Sequence, residues 1–141
     1  MQPSKQYTTK LVENMADNFG WRSYFSKRGE EDYFDVEFEN YTDAGQDLVV
    51  SVIVPIGFTI MQLANALREF WESYDPDEEA SLWIGNDGHG ANGAPYRLSE
   101  ILKDMNCAKK MIHHLYKRFL SKAKMKKYQN IIIVSNNGEE D

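Results

Sequence analysis

The spacing of apolar residues along the chain switches from helical to alternating and back to helical, and each switch marks an element. Between 8 and 19, Leu11, Val12, Met15, Ala16 and Phe19 recur at helical intervals behind a threonine, with Gly20 as a natural stop, which predicts a first helix. Over 21–26, Trp21, Ser23 and Phe25 alternate with Arg22, Tyr24 and Ser26, as in a strand, and Lys27-Arg28-Gly29-Glu30 reads as a turn. Phe34, Val36 and Phe38 then alternate with Asp35, Glu37 and Glu39, the pattern of a strand with one wet face. Turn residues fill 41–46, the β-branched run Leu48 to Val54 closes a hairpin, and Pro55 and Gly57 end it. These segments predict a three-stranded antiparallel meander with carboxylates along one exposed face.

The helical interval returns at Ile60, Leu63, Ala64, Leu67, Phe70, Trp71 and Tyr74. Thr59 and Gln62 form a capping box ahead of it, each side chain satisfying a backbone group of the other. Asp75-Pro76-Asp77-Glu78-Glu79 resembles another helix start, with proline in the first turn and acids at the positive end of the dipole. That helix is expected to be short, because Gly85 opens a glycine- and asparagine-rich loop over 85–94. A long helical pattern runs from Tyr96 to about Lys126, with a break near Asn106 where asparagine can cap a new helix. Asn130 to Ser135 reads as a last strand, expected to join the meander. The prediction is a single α+β domain over 1–135, ordered α-β-β-β-α-α-α-β. An antiparallel sheet, the three-stranded meander plus a C-terminal strand, is covered by helices. A flexible acidic tail follows over 136–141.

Composition narrows the class. The chain has 141 residues, 42% apolar and 27% charged, with one cysteine and a formal net charge of −6. A chain of this length buries roughly 68% of its unfolded surface and can hold a core without staples. One cysteine cannot form an internal disulfide, which argues against a secreted, disulfide-stapled domain. No apolar segment follows the N-terminal lysine, and no apolar run approaches the roughly 20 residues that span a bilayer. The expectation is a cytoplasmic protein with no membrane association.

The charge is unevenly placed. Residues 1–100 hold 18 Asp and Glu against 7 Lys and Arg, whereas 101–127 hold 9 Lys and Arg against the single Asp104. The bland reading makes each block a solvated face, with some pairing between them inside the fold. The functional reading makes them surfaces that steer charged partners. On the acidic side the candidates are Tyr33, Asp35, Glu37, Glu39 and Tyr41, in register on one strand face, together with Asp77, Glu78 and Glu79. On the basic side they are Lys109, Lys110, Lys117, Arg118, Lys122 and Lys124.

Catalytic and metal motifs are weak. Gly88-His89-Gly90-Ala91-Asn92-Gly93 matches G-x-G-x-x-G, but no parallel βαβ unit surrounds it and no acid follows about 20 residues on. It also lacks a P-loop's terminal lysine and the oxygen spacing of a calcium loop. The remaining role for the loop is contact with a ligand through Asp87, Gly88, His89, Gly90, Asn92 and Gly93. His113 and His114 are adjacent on a helix, about 100° apart, and cannot chelate one ion together. Cys107 stands beside Lys109 and Lys110, which favour a thiolate, yet its helical position suits a small residue touching the core. No cofactor and no metal are expected.

Three readings of function follow. The first is a protein-interaction module, accessory or inhibitory, whose carboxylate-rich face engages a basic protein surface, in its sharper form as a nucleic-acid mimic. The second is direct nucleic-acid binding through the lysine-rich helix over 109–127. The third is a ligand-binding or enzymatic role for the glycine-rich loop over 85–93.

Overall fold

A computed structural model of the chain describes residues 5–27, 29–87, 98–129 and 131–134. The elements are β1 (Lys5–Thr8), α1 (Thr9–Asn18), β2 (Arg22–Lys27), β3 (Tyr33–Tyr41), β4 (Asp47–Pro55), α2 (Ile60–Ser73), α3 (Pro76–Asp87), α4 (Leu98–Ala123) and β5 (Ile131–Val134), with a 3-10 turn at Lys126–Tyr128 before β5. The fold is α+β, and the meander is present: β3 lies between β2 and β4, antiparallel to both.

Register follows from the two-residue repeat, since a slip of one position would turn every apolar side chain outward. Phe38 stands opposite Val50, Val36 opposite Val52, and Phe34 opposite Val54, and all six are buried. Between β3 and β4 the Thr42 N–H donates to the Gln46 carbonyl at 2.9 Å, and the Thr42 hydroxyl accepts from Gln46 N at 3.1 Å. Gly45 completes this turn at φ 86°, a left-handed conformation that side chains disfavour.

Helices cover the inner face of the sheet. The capping box of α2 is formed, with Gln62 N donating to Thr59 Oγ1 at 3.2 Å and Thr59 N donating to Gln62 Oε1 at 2.8 Å. Ile60, Leu63, Ala64 and Leu67 form its buried face. Two aromatic joints tie the layers together. Phe25, Phe34 and Phe58 sit with ring centroids 5.7–6.2 Å apart, and Phe119 of α4 meets Phe38 at 5.7 Å and Phe19 at 5.3 Å.

The structure differs from the sequence reading in four places. The terminal strand does not extend the meander: β5 pairs in parallel with β1, an element the sequence analysis leaves unassigned. The run Ile131 to Val134 needs a ladder partner, and Lys5–Thr8 supplies it, a segment of four residues too short to show a repeat of its own. Its link to the meander segment is a single bridge beyond Pro55, where Gly57 N donates to the Ile133 carbonyl and Ile133 N to the Phe58 carbonyl. Helix α4 runs unbroken through Asn106, whose side chain donates back to the Leu102 carbonyl at 2.8 Å instead of capping a new helix. Helix α3 continues past Gly85 to Asp87, so the glycine-rich segment begins later than its composition suggests. The strand expected over 21–26 is shifted by one residue, leaving Trp21 buried ahead of it.

Candidate functional site

The outer face of the meander is set by the same repeat that fills the core. Every second residue of β3 points away from the helices, so Tyr33, Asp35, Glu37, Glu39 and Tyr41 share one surface, as the alternation predicts. The neighbouring strands extend it. Register places Tyr24 and Ser51 on either side of Glu37, Arg22 and Val49 on either side of Glu39, and Asp47 opposite Tyr41. Five large side chains on this face are well exposed: Tyr24 at 46%, Tyr33 at 46%, Tyr41 at 55%, Val49 at 44% and Ile53 at 49%. Tyr24, Val49, Ile53 and Asp47 were absent from the sequence-derived candidates. Strand pairing places them there, and a signal existed in the polar-side positions of the flanking strands.

Asp77, Glu78 and Glu79 stand elsewhere. They form the first turn of α3, which packs on α4, so they belong to the helical side of the molecule. The acidic candidates therefore divide into a sheet surface, which is interleaved with exposed aromatic rings, and a helix end.

On α4 the buried stripe is Ile101, Asp104, Ala108, Ile112, Leu115, Phe119 and Ala123. The basic residues lie beside it and differ in what they touch. Lys110, Lys117, Arg118 and Lys124 are exposed, whereas Lys109 and Lys122 are half-buried. Lys109 Nζ donates to the Tyr74 carbonyl at 2.7 Å and lies 5.9 Å from the Trp71 ring centre. The Arg118 guanidinium lies 5.7 Å from the Phe19 ring centre. Among the described residues no ion pair joins Glu37 or Glu39 to a lysine of α4; the ion pairs described, Lys10–Glu13 and Arg68–Glu72, are local to their helices.

Asp104, the one acid of the basic segment, was not singled out by the sequence. It is buried, accepting from the Thr42 hydroxyl at 2.9 Å and, at 3.4 Å, from Ala44 N. It thereby locks α4 to the turn between β3 and β4. Beside this joint lies a cleft of about 760 Å³, lined by Phe19 and Trp21 and, from α4, by Cys107, Lys110 and His114. Cys107 and His114 are seven residues apart, about 10 Å along the helix axis, too far to work as a nucleophile and its base. The contact made by the Cys107 thiol is with Met111 sulfur at 3.9 Å. The Tyr74 phenol is pushed up to about 12, by burial first and then by the negative charges of Glu79 and Asp104.

Of the candidate ligand loop, Gly88, His89, Gly90, Asn92 and Gly93 lie outside the described residues, and Asp87 ends α3. Among the described residues no group of three His, Cys, Asp or Glu side chains is placed to hold a metal ion, and no helix is long and apolar enough to cross a membrane. No protein-family model, curated protein or solved structure matches the chain.

Proposed function

We propose that the protein is an interaction module that docks a basic surface of a protein partner on the open face of its meander. The observation that carries this reading is the exposure of Tyr24, Tyr33, Tyr41, Val49 and Ile53 among Glu37, Glu39 and Asp47 on one face of the sheet. Tyrosines supply large contact area at low entropic cost, and they recur at interface anchors. The carboxylates commit the partner to positive charge and speed its approach, with an effect that salt screens. A partner whose basic groove otherwise holds nucleic acid is the sharper form of this reading. Duplex DNA then competes for that partner.

The test starts from capture by the immobilised full chain, with the main captured protein identified, purified and titrated back. Reversing two charges, E37K with E39K, is expected to lower its affinity at least ten-fold, while K117E with R118E leaves it within two-fold. NMR perturbations from the purified partner are expected on β3 and β4. Unchanged affinity in the sheet variant, or perturbations confined to α4, overturns the reading.

A further inference from the structure

A second concave surface lies on the helical side, between α2 and α4. It is a hollow of about 390 Å³, walled by Trp71 of α2 and by Asn106, Lys109, Lys110, His113 and His114 of α4. None of these six side chains is a carboxylate, and three of them, Asn106, Lys110 and His114, also line the larger cleft, where Asp43, Glu100 and Asp104 stand. The aromatic wall is held in place from several sides. The Trp71 ring centre lies 4.5 Å from that of His113 and 6.1 Å from that of Tyr116, stacked nearly parallel to the latter at 15°. Lys109 is anchored on the Tyr74 carbonyl. Lys110 and His114 are exposed at the rim, and Lys117 continues the positive edge beside Tyr116, its Nζ 5.9 Å from that ring centre.

We propose that this hollow binds a nucleoside phosphate unit, its base against the Trp71 wall and its phosphate at Lys110 and His114. The two halves of the lining require two halves of a ligand. A bare phosphate would use the cations alone, whereas a base carrying a phosphate would also cover the part of Trp71 that lines the hollow, as on aromatic platforms beside cationic tracks. Trp71, His113 and Lys109 are already fixed by their contacts, so this wall needs less ordering on binding. A free nucleotide and one residue of a single strand present the same chemistry. The site shares no residue with the sheet surface and does not depend on the docking reading.

The test is a low-salt titration of the full chain with inorganic phosphate, UMP, single-stranded dT10 and a ten-base-pair duplex, read by tryptophan fluorescence and NMR. UMP or dT10 is expected to quench fluorescence and shift the signals of Trp71 and His113, at least ten-fold more tightly than phosphate. W71F, which keeps a ring at the position, is expected to remove the quench, and K110E with H114E, both at exposed sites, to weaken binding at least ten-fold. E37K with E39K leaves binding unchanged. Affinity for dT10 far above that for UMP, falling steeply with salt, identifies a strand as the source; equal affinities identify the free nucleotide. No binding of UMP or dT10, phosphate binding as tightly as UMP, duplex binding as tightly as dT10, or no effect of K110E with H114E overturns the proposal.

Discussion

The open face of the meander and the outer side of α4 carry opposite charges and are built on different repeats. On β3 the two-residue repeat sends Tyr33, Glu37 and Tyr41 straight out from the sheet, and register with β2 and β4 widens the row into a plane. On α4 the 3.6-residue repeat winds the lysines around a stripe, so residues adjacent in sequence meet different surroundings. Lys109 turns inward to a carbonyl and an indole while Lys110 stays exposed. A run of like charges on a strand thus becomes a uniform surface, whereas on a helix it is divided between structural and exposed roles. Counting charges along the sequence treats the two regions alike, and packing separates them.

That comparison can be broken at the joints between the two regions. Phe38→Ala removes the ring where the inner sheet face meets Phe119, and is expected to cost about 3–5 kcal/mol in urea unfolding. Tyr41→Ala, on the other face of the same strand, is expected to cost far less. Asp104→Ala strips the Thr42 hydroxyl and the Ala44 amide of their acceptor. It is expected to cost about 2 kcal/mol, with hydrogen exchange accelerated over 42–46. Little change in exchange there would show that the turn holds its shape without α4.

Smaller effects sharpen the contrast among the charged residues. Lys109→Ala is expected to lower stability by about 1 kcal/mol and Lys110→Ala to leave it nearly unchanged, as measured by thermal unfolding. Equal losses would show that the inward contacts of Lys109 contribute nothing. Because the folded chain keeps the Tyr74 proton up to about pH 12 while the unfolded chain releases it near pH 10, the stability tied to that proton is whole below pH 10. It falls as pH rises through 12. Tyr74→Phe is expected to flatten this alkaline limb, followed by unfolding at stepped pH. The smallest change is expected for Glu37→Gln, within about 0.5 kcal/mol, since an exposed carboxylate on a wet sheet face adds little to folding.

Much of this architecture was legible from local pattern. The alternation around Phe34, Val36 and Phe38 is a direct consequence of strand geometry, and it also placed Tyr33, Glu37 and Tyr41 together on the opposite face. The capping box at Thr59 and Gln62 was legible because both partners lie within one turn. Asn106 misled because asparagine can cap a helix or bond backward along one, and only the packing of residues on both sides keeps the helix running.

What the sequence determined by itself was therefore periodic and short-range: the meander, the main helices, the burial of alternate residues and the split of charge along the chain. Tertiary structure alone decided which distant pieces meet. It paired Ile131–Val134 with Lys5–Thr8, buried Asp104 against Thr42, widened the tyrosine row with Tyr24, Val49 and Ile53, and set Trp71 beside the basic side chains of α4. The physical reason is that burial and hydrogen-bond satisfaction are demands on a whole structure. A short strand or a lone carboxylate states its need locally, but its partner is selected by where the rest of the chain leaves an open edge or an unpaired donor.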